Sequence, residues 1–463
     1  MRMKVLLVSP KAQLLGYSKL FNAADAMGLG ILYVAAAARA AGHDVRVRLC
    51  SDAEAARLVK ELAPQVVGLT AMSATYPAAL AVARSVKSVA PETVTVMGGH
   101  HVTFTTADTL REGCIDYVVR GEGEDAFPRL LQCLAGGDTD PSIPGVCFLR
   151  DGSVENEHSL AEVSELDNLP IPDQRLLESP GRVLVIGSRG CPHDCTFCSV
   201  PRFCRRKWRK RSVAAILDEL EEIARTRRLR RVEFRDDNLL VDPRWAEELC
   251  QGILQRGFRF DWHCLGRTDT VARHPELLQL MKSSGCRIVG LGLESGLQEI
   301  IDHYEKGTSV EQAREVSARL RQHSILQVWY AMIGSGDHND TLEQVRRNVQ
   351  HLAAFPFDLL QLSLLTPFPG TRLYGELQRE GRLLHRRWEL YDGMHCVYRP
   401  LGMSAEQLEG ELLRSYKKIF IGSGARRVLH TLYSARKFIF NTIDPLKLLR
   451  VLFESLVLRR DMF

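Results

Sequence analysis

Short apolar runs alternate with longer stretches of helical spacing through the first third of the chain. "KVLLVSP" (4–10), "DVRVRL" (44–49), "QVVGLTA" (65–71), "TVTVMGG" (93–99) and "DYVVRGEGE" (116–124) read as strands bounded by Gly, Pro, Ser or Asp. "GLGILYVAAAARAAG", "AEAARLVKEL", "AALAVARSVKSV" and "AFPRLLQCLAG" read as helices. Near-continuous apolar strands with crossover helices predict a doubly wound parallel sheet, an α/β domain over residues 1–136. Ligands of such sheets bind beyond the carboxyl ends of the strands. Here those ends are "SPKAQ", "TAMSATYP", "GGHHVTF" and "RGEGED", which carry Gly, Ser, Thr and His. The same residue types also serve as plain turns.

Residues 137–180 break the rhythm. "GGDTDPSIPG", "RDGSVENEHS" and "LDNLPIPDQ" are rich in Gly, Pro, Asp and Asn and read as a linker with one hairpin. A second alternation occupies 181–395. Its strands are "VLVIGSRG", "RVEFRDDN", "FDWHCLGR", "IVGLGLES", "LQVWYAMIG" and "LLQLSLLTP". Helices are predicted over Val213–Arg227, Arg244–Gln255, Pro275–Ser284, Val310–Gln322 and Leu342–Ala354. Six such units predict a partial (β/α)6 barrel with its chemistry at the carboxyl ends of the strands. Residues 396–463 read as a C-terminal helical segment.

A length of 463 residues implies two or three domains, in keeping with this division. The formal charge of +5 is small, so no nucleic-acid partner is expected. No run of about eighteen apolar residues suggests a transmembrane helix. The opening "MRMKVLLVSP" is too soon interrupted to read as a signal peptide, so a cytoplasmic location is expected. From 424 to 460, Arg and Lys interleave with Phe and Leu. That segment reads either as a helix packed with a solvated basic face or as a peripheral contact with an anionic membrane.

Three of the twelve cysteines are grouped: Cys191, Cys195 and Cys198 in "RGCPHDCTFCSVPRFC", directly after the first barrel strand. In a reducing compartment grouped thiols favour metal over disulfide. Soft thiolates select zinc or iron–sulfur clusters. Zinc usually takes four protein ligands. Three thiolates on a four-iron cluster leave one iron open to a substrate. Cys204 is the rival fourth ligand, and would close the cluster into an electron carrier.

The spacing Cys191-x-x-x-Cys195-x-x-Cys198, with Phe197 before the last cysteine, resembles the signature of the radical S-adenosylmethionine (SAM) superfamily. The resemblance runs over about residues 181–395. It implies a [4Fe–4S] cluster on the three cysteines, with SAM held by Asp236 and Asp237 in "VEFRDDN", Arg267 after "WHCLG", and Glu294 and Ser295 in "GLGLESG". "VEFRDDN" departs from the commoner Gly-Gly-Glu form of the segment that holds the methionine amino group. Without the resemblance, these charged residues read equally as an ion-pair network.

The first domain resembles the Rossmann-like cobalamin-binding domain that precedes some radical SAM domains. That implies contacts from Met72, Ser73, Ala74, Thr75 and Tyr76 at the lower face of the ring, from Gly98, Gly99, His101 and Thr103, and from Gly121, Glu122 and Gly123. The Asp-x-His-x-x-Gly motif that ligates cobalt is absent, so His100 and His101 are expected to hydrogen-bond within their loop. Together the two resemblances imply a cobalamin-dependent radical SAM enzyme, of the class B methyltransferase kind. Such an enzyme uses a 5′-deoxyadenosyl radical and methylcobalamin to methylate an unactivated carbon of a small molecule. It draws electrons from a partner such as flavodoxin or ferredoxin. Oxidative cyclisation or ring rearrangement, and a non-enzymatic cobalamin carrier, are the alternatives. No catalytic residue and no substrate is legible.

Overall fold

The computed structural model describes residues 1–11, 28–177, 182–338 and 340–421. They form two compact units. The first holds residues 1–11, 28–177 and Arg387–Asp392; the second holds 182–386 and 393–421.

The first unit is a seven-stranded sheet built from β1 (Lys4–Pro10), β2 (Asp44–Cys50), β3 (Val66–Thr70), β4 (Val94–Gly98), β5 (Tyr117–Val119), β6 (Val146–Arg150) and β7 (Ser153–Glu155). The order is β2-β1-β3-β4-β5-β6-β7. β2 through β5 are parallel, as the apolar runs require, with Val5 beside both Val45 and Val66. This 2-1-3-4-5 order places a topological switch between β1 and β3, where such sheets open a crevice for ligands. The crossover helices Leu29–Ala40, Asp52–Leu62, Tyr76–Val89 and Gly123–Ala135 lie where their periodicity predicts. Ser51 and Glu54 close Asp52–Leu62 with a reciprocal capping box.

The hairpin expected in the linker is present at residues 146–155, but its first strand pairs antiparallel with β5, so the sheet is not wholly parallel. "GGHHVTF" does not stay a loop either, since His100–Phe104 is a short helix followed by another, Thr106–Arg111.

The second unit is a six-stranded sheet of β8 (Arg182–Val185), β11 (Arg231–Phe234), β12 (Asp261–Gly266), β13 (Cys286–Glu294), β14 (Leu326–Ile333) and β15 (Leu359–Leu364). Every pairing is parallel, and the strands follow chain order from β8 to β15. Between β8 and β11, β9 (Ser188–Arg189) and β10 (Arg209–Lys210) form a short antiparallel pair. The helices Val213–Thr226, Pro243–Gln255, Leu277–Ser283, Val310–Gln322 and Leu342–Ala353 cover one face. Their apolar sides and alternate strand residues, among them Val232, Phe234, Trp262, Leu291 and Trp329, make one continuous core. The other set of alternating residues, such as Val328, Tyr330 and Met332 on β14, is only half-buried.

The last described α-helix, Ala405–Tyr416, is capped by Ser404 and Gln407 and runs on into a π-helical turn, Lys417–Ile421. The basic segment 424–460 lies outside the described residues. Among the described residues no helix is long and apolar enough to cross a membrane.

Candidate active site

The cysteine loop begins where β8 ends. Gly190 has φ +88, and a side chain there would strike the carbonyl of Lys207 and the side chain of Cys204, so only glycine fits. Cys204 is therefore packed beneath Gly190, buried. Cys191, Cys195 and Cys198 follow on a turn in which the Cys198 amide donates to the Cys195 carbonyl. The Thr196 amide donates to the Tyr304 carbonyl at 3.1 Å, and Leu373 donates to the Thr196 carbonyl. Phe197 meets the Tyr304 ring edge-on, with centroids 5.2 Å apart.

Burial pushes the Cys198 thiol up to about 12 and raises that of Cys191. Buried thiols of this kind give up their protons when a metal supplies the compensating charge. Among the described residues no three Cys, His, Asp or Glu side chains converge tightly enough to hold a single metal ion. An all-thiol donor set spread along one loop fits a polynuclear cluster better than a mononuclear zinc site.

Asp236 and Asp237 follow β11, and the structure separates them. Asp236 is buried, and its carboxylate accepts from the Gly187 amide at 3.0 Å and the Ser188 hydroxyl at 2.5 Å. In this structure both oxygens brace the strand that leads into the cysteine loop. Asp237 is exposed, and it accepts from the Gly190 amide at 3.2 Å.

Burial raises the Asp236 carboxyl from its ordinary 3.8 to about 7, with the Ser188 and Gly187 hydrogen bonds opposing the shift. The folded chain therefore holds this proton more tightly than the unfolded one. Stability falls as pH rises from about 4 to about 7, and is level above that. Asp236→Asn removes the effect. Between pH 4 and 8 the difference in unfolding free energy between wild type and Asp236→Asn is expected to change by up to about 4 kcal/mol. Urea unfolding followed by tryptophan fluorescence at several pH values checks this, and parallel profiles would refute it.

Arg267, just past β12, is buried and fully engaged. Its Nε donates to Asp269 at 3.0 Å, Nη2 to the Lys306 carbonyl at 2.5 Å, and Nη1 lies 3.7 Å from Cys195 Sγ. These contacts bracket the loop of Cys195 to the segment around Lys306. Glu294, the last residue of β13, has φ +64, in the left-handed region that an ordinary residue occupies only under strain. The register with β14 shifts between Gly292 and Glu294, and the turned carboxylate pairs with Lys306 Nζ at 2.5 Å. A side chain at Gly292 would strike both partners of that pair.

Ser295 turns the other way. Its hydroxyl donates to Asn348 at 3.0 Å and accepts from the Leu297 amide, at the entry to the following helix. Lys306 was not legible in the sequence: a single lysine in "YEKGTS" forms no pattern, and only the fold brings it to Glu294. One connected network thus runs from Cys195 through Arg267 and Lys306 to Glu294.

In the first unit the expected cobalamin residues divide in the same manner. Met72 is 54% exposed at the tip of the loop after β3. Thr75 bonds the Met72 backbone in both directions and stiffens the loop. Gly99, at φ +106, presses on the Ala71 carbonyl, while a side chain at Gly98 would meet only ordinary contacts. His101 is 2% exposed and shares a 3.0 Å hydrogen bond between Nδ1 and the Ser73 hydroxyl. Burial lowers its pKa to about 4, so the imidazole is neutral. Its Nε2 has no partner among the described residues.

Thr103, Gly121, Glu122 and Gly123 make contacts within the fold of the first unit. Thr103 donates to the Gly99 carbonyl and accepts from the Gly121 amide. Gly121, at φ +86, is pressed against the Ala161 backbone. Glu122 accepts from the Val163 amide at 2.6 Å. Gly123 opens the helix Gly123–Ala135 close to Val34. An orphaned buried nitrogen and an exposed apolar tip beside the strand switch fit a large, partly apolar ligand carrying polar groups, as cobalamin is.

Residues 23–131 match the B12 binding domain, and residues 185–350 match the radical SAM superfamily. Over 434 residues the chain is 30% identical to an uncharacterized methyltransferase of Pyrococcus horikoshii, covering 90% of this chain and 93% of that one. It belongs to the cobalamin-dependent radical SAM family.

A hopanoid C-3 methylase of Methylococcus capsulatus is also 30% identical, over 93% of this chain and 83% of its own length. The fold resembles that of the radical SAM methyltransferase TsrM from Kitasatospora setae, solved with cobalamin and a [4Fe–4S] cluster. The TM-score is 0.66 and the identity 20%, over 82% of this chain and 75% of that one. This cobalamin-dependent radical SAM chain is an enzyme of the C-methyltransferase kind. Its cofactors are a [4Fe–4S] cluster, SAM and cobalamin.

Proposed function

We propose that the enzyme methylates an unactivated carbon of a small-molecule or natural-product substrate. The observation that supports this best is the loop of three thiols with its Arg267 bracket, while Cys204 packs against Gly190; three thiolates on a four-iron cluster would leave one iron open to SAM. When bound, the cluster and SAM supply a 5′-deoxyadenosyl radical, and cobalamin supplies the methyl group.

The chain's own residues position these groups. Cys191, Cys195 and Cys198 hold the cluster, and Arg267 neutralises Cys195. Asp237 is the exposed carboxylate that receives the SAM ammonium, while Glu294, oriented by Lys306, faces the same ligand. The loop Met72–Tyr76 would hold cobalamin on its lower side, with His101 tied to Ser73 rather than to the metal, and Gly98 would let the backbone approach the cofactor. The substrate body lies along the half-buried side chains of Val328, Tyr330 and Met332. Residues Arg202, Arg205, Arg206 and Lys207 form an exposed basic run beside the cysteine loop, which suits an acidic donor such as flavodoxin or ferredoxin. A cytoplasmic setting goes with such a donor.

Anaerobic incubation with SAM, reductant and a candidate substrate pool tests the reading. Both 5′-deoxyadenosine and S-adenosylhomocysteine should form, with a methyl mass shift in one pool member. 5′-Deoxyadenosine without S-adenosylhomocysteine would turn the assignment to cyclisation or rearrangement. Neither product would leave only a cobalamin carrier.

A further inference from the structure

The segment Arg387–Asp392 follows β15 in the chain, yet it belongs to the first unit. It lies outside both matched regions, 23–131 and 185–350. Its single turn Trp388–Leu390 brings Trp388 against the core of the first sheet. The indole meets the His101 ring nearly at right angles with centroids 4.6 Å apart, and packs on Tyr391 at 4.7 Å. Tyr76 covers His101 at 4.3 Å. His101 is thus enclosed by two aromatic rings and tied through Nδ1 to Ser73, in the loop at the strand switch.

We infer that Trp388 is a positioning residue for cobalamin, holding the His101 ring and through it the Ser73–Tyr76 loop in the conformation that receives the cofactor. The inference rests on the cobalamin reading of this site. The physical argument is preorganisation. A loop ordered before binding loses little entropy when the ligand arrives. Edge-to-face aromatic contacts order a buried ring without using its polar atoms. Nε2 of His101 is left for an acceptor or donor on the ligand, such as a peripheral amide. A strap that comes from beyond β15 also makes the loop's order depend on the chain that follows the barrel.

Hydrogen exchange on the full-length chain, free of cobalamin, reads the loop directly. Trp388→Ala is expected to speed exchange across Ser73–Tyr76 and Gly99–Thr103 about tenfold, and Trp388→Phe to stay near wild type. With cobalamin added, Trp388→Ala should bind it about tenfold more weakly and alter the cob(II)alamin paramagnetic resonance line shape. Its iron content should be unchanged, which reports a folded barrel. Should Trp388→Ala not accumulate, Trp388→Leu keeps bulk without a ring and is expected to show the same quickening.

Unchanged exchange in the ring-less variant, with the wild type binding cobalamin, overturns the role of Trp388 alone. A wild-type chain that takes up no cobalamin overturns the reading of the site, and the role with it.

Discussion

Alanine at Cys191, Cys195 or Cys198 is expected to abolish the broad iron–sulfur absorbance of the reconstituted enzyme and to drop 5′-deoxyadenosine formation to background. The proposal gives each of the three the place of one of three protein ligands, so that losing any one should lose the cluster. Cys204 is the nearest in sequence, and it packs against Gly190, where only glycine fits. Cys204→Ala should keep the cluster and cost only packing, about 1 kcal/mol for the lost sulfur. Iron and sulfide assays on the four variants decide the matter. A Cys204 variant that loses the cluster, while one of the other three keeps it, would reverse the ligand assignment.

Arg267→Gln is the second large effect. The guanidinium makes three contacts at once, to Asp269, to the Lys306 carbonyl and toward Cys195 Sγ. Glutamine retains a donor but no charge, and it cannot span the three. Loss of a groups' partner around a metal ligand usually costs about 10- to 100-fold in activity or metal affinity, and a similar fall in SAM cleavage is expected here. Removing a cation beside a thiolate also disfavours the reduced, more negative cluster, so its potential should move downward. Arg267→Lys keeps the charge without the planar fork and should fall between the two. Redox titration followed by paramagnetic resonance reads the potential apart from turnover. A glutamine variant with wild-type potential and wild-type cleavage would show that Arg267 merely fills space.

The two aspartates show how far residue type alone reaches. "RDDN" marks both carboxylates as candidates for the same ligand, because nothing local distinguishes one from the next. In the fold Asp236 turns inward to Gly187 and Ser188, and Asp237 outward to the Gly190 amide. Neighbouring positions at a strand end point to opposite sides, so choosing between them requires knowing which side is core. Ser295 differs from Glu294 in the same way: Glu294 adopts a left-handed φ and meets Lys306, whereas the Ser295 hydroxyl accepts from the Leu297 amide.

The sequence by itself determined the order of elements, the parallel strands β1–β5, the six-stranded second sheet and the cysteine loop. Each of these is written in local terms: apolar runs, helical spacing, and three thiols separated by three and two residues. Only the tertiary structure decided the 2-1-3-4-5 strand order, the antiparallel pairing of β6 on β5, the pairing of Lys306 with Glu294, and the return of Trp388 to His101. Each depends on segments distant in sequence burying surface or satisfying polar groups together. Strand neighbours are selected by the whole sheet, and a lone lysine or tryptophan has no periodicity to announce its partner. Its place is decided by which buried charge or ring lies within reach once the strands have packed.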